Sequence, residues 1–210
     1  LADLSTHLSQ EHLESAHATL ADLYASRSLA LYDLAAARQR ITQAISNLGL
    51  TLEETGDTTG AEKQLRLAID LSERLGSARQ GVLARVALAD LFLKRQEHQQ
   101  AEHLALEAQA FCRLDGEGAV NDQALYGRVL VTLGDIYRAT DRLNEADSMF
   151  KQAIDILKRE HEDEHLGRAY FHYSELLNQL GKHAEGYELV KQAYLLGKRG
   201  TTTPSLPVRN

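Results

Sequence analysis

The chain has 210 residues and a formal net charge of −7 at pH 7. That acidic balance argues against a nucleic-acid-binding face. No run of eighteen apolar residues is present to cross a membrane, and no signal peptide is visible. Hydrophobic residues make up 43%, enough for a sizeable core. Ala, Leu, Glu, Gln and Arg dominate, which favours an all-α chain. The two prolines, Pro204 and Pro207, lie in the last ten residues, so nothing before residue 200 must break a helix at proline. The single cysteine, Cys112, cannot close an internal disulfide and fits a reducing, cytoplasmic setting. The chain starts at Leu1 already in helical pattern, and we expect it to be cut from a longer polypeptide.

Taken in order, residues 1–27 read as a partial repeat, with Ala16, Leu20 and Leu23 at second-helix spacing. Ser28 is a candidate N-cap for the next helix. That helix, over about 29–55, pairs with one over 58–75 through Glu54-Thr55-Gly56-Asp57, and Gly76-Ser77 ends the pair. The next pairs span about 78–95 with 98–113, 120–139 with 142–160, and 164–180 with 183–198. Asp115-Gly116-Glu117-Gly118 is the clearest internal loop, and Gly181-Lys182 marks the last turn. Residues 199–210 carry no helical pattern and read as a flexible tail.

Small residues recur at the expected helix crossings. Gly49, Ala89, Gly134 and Ser174 mark the first helices, and Ala61, Ala101, Ala146 and Gly186 the second. Both series keep steps of 40, 45 and 40 residues, so two independent markers share one register. That register predicts a partial repeat over 1–27 and four repeats over 28–76, 77–116, 117–162 and 163–198.

The third repeat is the most explicit. Leu130, Leu133-Gly134 and Tyr137, followed by Ala146, Phe150 and Ala153, resemble the tetratricopeptide repeat signature. There, small residues lock two antiparallel helices, and Leu130, Leu133, Tyr137, Phe150 and Ile154 are expected to fill the gap. The resemblance extends over some 170 to 200 residues and implies an all-α, right-handed superhelical solenoid whose first helices line a concave groove. The long repeat step resembles bacterial regulatory repeat domains.

His161-Glu162-Asp163-Glu164-His165 matches H-E-x-x-H, which on one helix face would hold zinc beside a general base. Its charged middle positions and its place at a repeat junction favour a solvated link, and no third ligand is evident. Neither His98 and His103 nor His7, His12 and His17 are spaced to converge on one helix face. Cys112 reads as a small buried hydrophobe. No nucleophilic triad can be singled out, so we expect no enzyme, no cofactor and no metal.

The resemblance places groove positions at Gln43, Ser46, Leu50 and Glu53, then Leu83, Val86, Asp90 and Leu93. It continues them at Arg128, Val131, Asp135 and Arg138, then Arg168, Phe171, Glu175 and Asn178. Apolar anchors alternating with both charges suit a protein or an extended peptide segment. The competing expectation is that these charges pair with one another. The Lys and Asn pattern with which relatives clamp a terminal carboxylate is absent. Two readings remain: a non-enzymatic binding scaffold, or the ligand-sensing half of a bacterial transcription factor whose DNA-binding part lies outside this fragment. At the end of the stack, Leu189, Leu196 and Tyr194 form an apolar stripe, and a homodimer through this helix is the expected cover.

Overall fold

The structure is a computed structural model that describes residues 56–113 and 120–201, with side chains to 198, and Arg40, Thr42, Gln43, Ser46, Asn47, Gly49, Leu50, Leu52 and Glu53 before them. The expected partial repeat over 1–27, the Ser28 cap, the 115–118 loop and the end of the tail lie outside the described residues. Seven helices follow in order: α1 Thr58–Leu75, α2 Ala78–Lys94, α3 His98–Arg113, α4 Gln123–Ala139, α5 Leu143–Arg159, α6 Asp163–Gln179 and α7 His183–Thr201. The described residues before α1 that lie between 40 and 53 are helical too. Helix α7 runs to Thr201, three residues into the stretch read as tail, because Gly197 and Gly200 permit a helix even though they do not favour it.

Each helix packs on the next, and α4 also touches α2 and α6, whereas among the described residues α1, α3, α5 and α7 make no such contacts. The inner row is therefore more closely spaced than the outer one. The stack curls into a solenoid with α2, α4 and α6 on its concave side.

The closeness comes from the small residues. Ala61, Ala89, Ala101 and Ala146 are fully buried, and Ser174 nearly so. At Gly134 a Cβ would stand 2.9 Å from Cε1 and Cζ of Phe150, so the ring of α5 lies directly on the α4 backbone. Leu130, Leu133, Phe150 and Leu88 are wholly buried, and Tyr137 and Ile154 nearly so. One apolar cluster runs from Ala61 to Leu176, and a second joins Ile154, Leu157, Leu166, Ala169 and Tyr170.

The links share one geometry. Gly56, Gly76, Gln96, Asp141, His161 and Gly181 all have positive φ, between 57° and 87°. In each link the next residue's amide reaches back five residues, as Glu97 N–H donates to Phe92 O at 2.9 Å, Arg142 to Tyr137 at 2.8 Å and Glu162 to Leu157 at 3.1 Å. This is the Schellman closure of a helix C-terminus. Asp57 and Asp122 cap the helices that come after them, accepting from Gly60 N–H and Leu125 N–H at 2.9 Å each.

At the end of the stack, Leu189 and Leu196 are not bare. They pack, half-buried, against the second apolar cluster. The exposed apolar side chains of α7 are Tyr187 (69% exposed), Val190, Tyr194 (62%) and Leu195.

Two outcomes test this packing. Gly134→Leu drives a side chain into the Phe150 ring and should cost about 1–3 kcal/mol or more, read as a lower urea midpoint. An unchanged midpoint would misplace the crossing. His161→Gly relieves a left-handed β-carbon and should raise stability by about 0.5–1 kcal/mol. A clear loss instead would mean that the imidazole holds something in place.

Candidate functional site

The concave row encloses a groove of about 580 Å³. Its first wall is Gln43, Ser46, Asn47, Leu50 and Glu53. Its floor is Arg79, Leu83, Val86, Ala87, Asp90 and Lys94 of α2, and Arg128 of α4 and Arg168 of α6 close the far side. At that side lies a recess of about 40 Å³ lined by Val86, Asp90, Arg128, Val131, Thr132, His165 and Arg168. These side chains converge because three- and four-residue steps put Leu83, Val86 and Asp90 on one stripe of α2, and Arg128 and Val131 on one stripe of α4. Leu83 and Leu93 both pack against the core, but Leu93 lines neither cavity.

The rest of the expected groove set behaves differently. Arg138 bonds Asp135 at 3.2 Å and Glu175 at 3.0 Å, and His172 Nδ1 lies 2.8 Å from Asp135 Oδ2. Here the charges satisfy one another. Phe171 stands 50% exposed on α6 and lines neither cavity. Asn178 lines neither one, and its Oδ1 is 3.3 Å from His183 Nδ1 at the α6–α7 turn.

The cations of the groove divide into two kinds. Arg79 donates to Asp122 at 2.8 Å, and Lys94 is in close contact with Glu53. Arg128 and Arg168 make no ion pair within 4 Å among the described residues. Burial disfavours the charged form of Arg128, and the like charge of Arg168 adds to that. Burial and the neighbouring Asp135 charge push the Asp90 carboxyl up to about 6, although Thr132 Oγ1–H donates to it at 3.0 Å. Burial, aided by Arg128, holds His165 below the usual imidazole range. For His172 burial again opposes the charge, but the bond to Asp135 prevails and the imidazole titrates higher than usual.

The H-E-x-x-H stretch is not a zinc helix. His161 is the left-handed residue of a link, Glu162 is the N-cap, and only His165 lies in the first turn of α6. Among the described residues, three candidate metal ligands do meet at Asp135, His172 and Glu175, with ligand atoms within 4.8 Å. Arg138 already supplies both carboxylates with a cation. Cys112 is half-buried, and burial pushes its thiol up to about 11, so it is a poor nucleophile at neutral pH.

Sequence reasoning missed His165, His172 and Thr132 as parts of the concave face. The signal was there for the histidines: His165, Arg168, His172 and Glu175 lie at steps of three, four and three along one face of α6.

Two models described as tetratricopeptide repeat match the chain, one over residues 41–75 and one over 125–197. The chain is a tetratricopeptide repeat protein. Among solved structures, the tetratricopeptide stack is similar to BtubC (BKLC) from P. vanneervenii. That match has 19% identity and a TM-score of 0.60, and covers 99% of this chain and 84% of that one. It is also similar to MamA (41-end) from Desulfovibrio magneticus RS-1, with 16% identity, a TM-score of 0.51, and 96% and 97% covered. A third likeness is to a Podosopora anserina protein with nearly identical kinesin-light-chain TPR-like repeats, with 13% identity, a TM-score of 0.52, and 96% of each chain covered. At these identities the likeness is one of fold. No curated protein sequence matches the chain.

The raised carboxyl of the tetratricopeptide groove has a testable sign. Asp90 titrates near 6 in the folded chain against 3.8 for the ordinary group, so ionising it costs more in the folded state than in the unfolded one. That cost is absent below about pH 4, grows as pH rises through 6, and is then constant. Asp90→Asn keeps an oxygen that can accept from Thr132 and removes the ionisation. The variant should gain on the parent by about 1–2 kcal/mol between pH 4.5 and 7.5, a figure reduced for the carboxylate edge that stays open to the groove. Urea titrations at the two pH values measure it, and a difference that does not change with pH would show a freely ionising carboxyl.

Proposed function

We propose that this chain is a non-enzymatic docking scaffold that holds an extended protein or peptide segment along α2, α4 and α6. One observation carries the reading: a continuous concave groove in which Leu83 and the 40% exposed Leu50 stand beside Arg128 and Arg168, over a floor that the buried Val86 completes. Apolar anchors offer desolvation energy, and polar groups fix the register of a bound strand. The charged end around Arg138 is self-paired, so the binding face is centred on α2 and the first halves of α4 and α6.

Capture from a cell extract, with parent and Arg128→Glu/Arg168→Glu proteins compared at equal loading, tests the reading. The double variant should lose specific partners at least tenfold while keeping its helical melting profile. If every partner remains, the groove is not the docking face.

A further inference from the structure

Arg128 and Arg168 face one recess from two different helices, and among the described residues neither has an ion-pair partner within 4 Å. They stand out against Arg79, Lys94 and Arg138, each of which has its carboxylate. Two guanidiniums held side by side, one of them half-buried, repel each other and lose hydration. An anion placed between them relieves both costs and can receive forked hydrogen bonds.

We propose that this recess receives the side-chain carboxylate of an acidic residue inside the docked segment, flanked by apolar residues; the inference rests on the docking reading above.

Charge, size and surroundings each contribute to that choice. At neutral pH, Arg128 and Arg168 supply two positive charges and Asp90, titrating near 6, supplies one negative. His165 is held neutral by burial and by Arg128, and His172 is matched by Asp135. With Glu162, Glu164 and Asp122 also acting on His165 and Arg128, the positive excess is small, which suits a carboxylate better than a doubly charged phosphoryl group. The recess, about 40 Å³, has room for a few water-sized atoms and none for a ring. Its apolar rim is formed by Val86 on the α2 side and Val131 on the α4 side. Beyond it stand Leu83 in the groove and the exposed Phe171 one turn past Arg168. Apolar contacts on both sides mean that the bound chain continues in both directions, which selects an internal residue over a free C-terminus.

Fluorescent pools of octapeptides, acetylated and amidated, test this. Each pool has apolar-rich random flanks and one central residue fixed as Glu, Gln or phosphoserine; a fourth pool carries Gln at the centre and a free C-terminus. Retention is measured on the whole chain. The Glu pool should be retained at least tenfold better than the Gln pool. That preference should vanish in Arg128→Gln and in Arg168→Gln, the latter removing an exposed side chain with little bearing on folding. Phosphoserine ahead of Glu, or preference for the free C-terminus, would overturn the inference. Equal retention of Glu and Gln pools, both lost in Leu83→Asp, would overturn it and leave the docking groove standing. Retention of no pool would remove both.

Discussion

The structure depends on how closely two helix backbones can approach. Where Gly134 lies under the Phe150 ring, the absence of a β-carbon brings α4 and α5 together, and alanines do the same at the neighbouring crossings. Close approach within each pair lets the inner helix α4 reach α2 and α6 as well. Curvature results from that difference in spacing, and the groove results from the curvature. Neither needs a specific polar contact to define it.

Polar contacts instead decide what kind of groove it is. On the convex side, Arg85 of α2 has a side chain only 6% exposed, yet it contacts Glu73 of α1 and bonds Glu107 of α3 at 3.1 Å, and its guanidinium lies 4.8 Å from the Phe111 ring centroid. On the concave side, the Arg138, Asp135, Glu175 and His172 network ties α4 to α6. Both networks consume their charges internally. At Arg128 and Arg168, by contrast, two like charges face one recess with no ion pair within 4 Å among the described residues.

The architecture was legible because its signals repeat. Small residues in two registers, each with steps of 40, 45 and 40 residues, located the helices from α1 to α7 to within a few residues. The groove positions on α2 come from the tetratricopeptide resemblance, transferred by register, and of these Leu83, Val86 and Asp90 line the groove whereas Leu93 does not. Pairing could not be read this way: nothing in the spacing distinguishes Arg138, which bonds two carboxylates, from Arg128, which has none within 4 Å among the described residues. Partner choice depends on the stagger between neighbouring helices, and that stagger is set by packing rather than by local pattern. The H-E-x-x-H stretch misleads for a related reason. A motif presumes a continuous helix, and one left-handed residue at His161 breaks that premise. Leu189 and Leu196 look uncovered when their role is transferred from inner repeats, whereas α7 rolls them onto α6 and its neighbours.

The shared closure of the links has a consequence for how such a chain can change length. The turn inside a pair and the turn between pairs use the same left-handed residue and the same five-residue return bond. At the six described links, the joint inside a repeat and the joint at its boundary are alike; residues 114–119, between α3 and α4, lie outside the described residues. A helix pair duplicated or deleted at two of these described links would place the same joint between its new neighbours. Such an event away from the groove would change the length of the array while leaving Arg128 and Arg168 facing one recess.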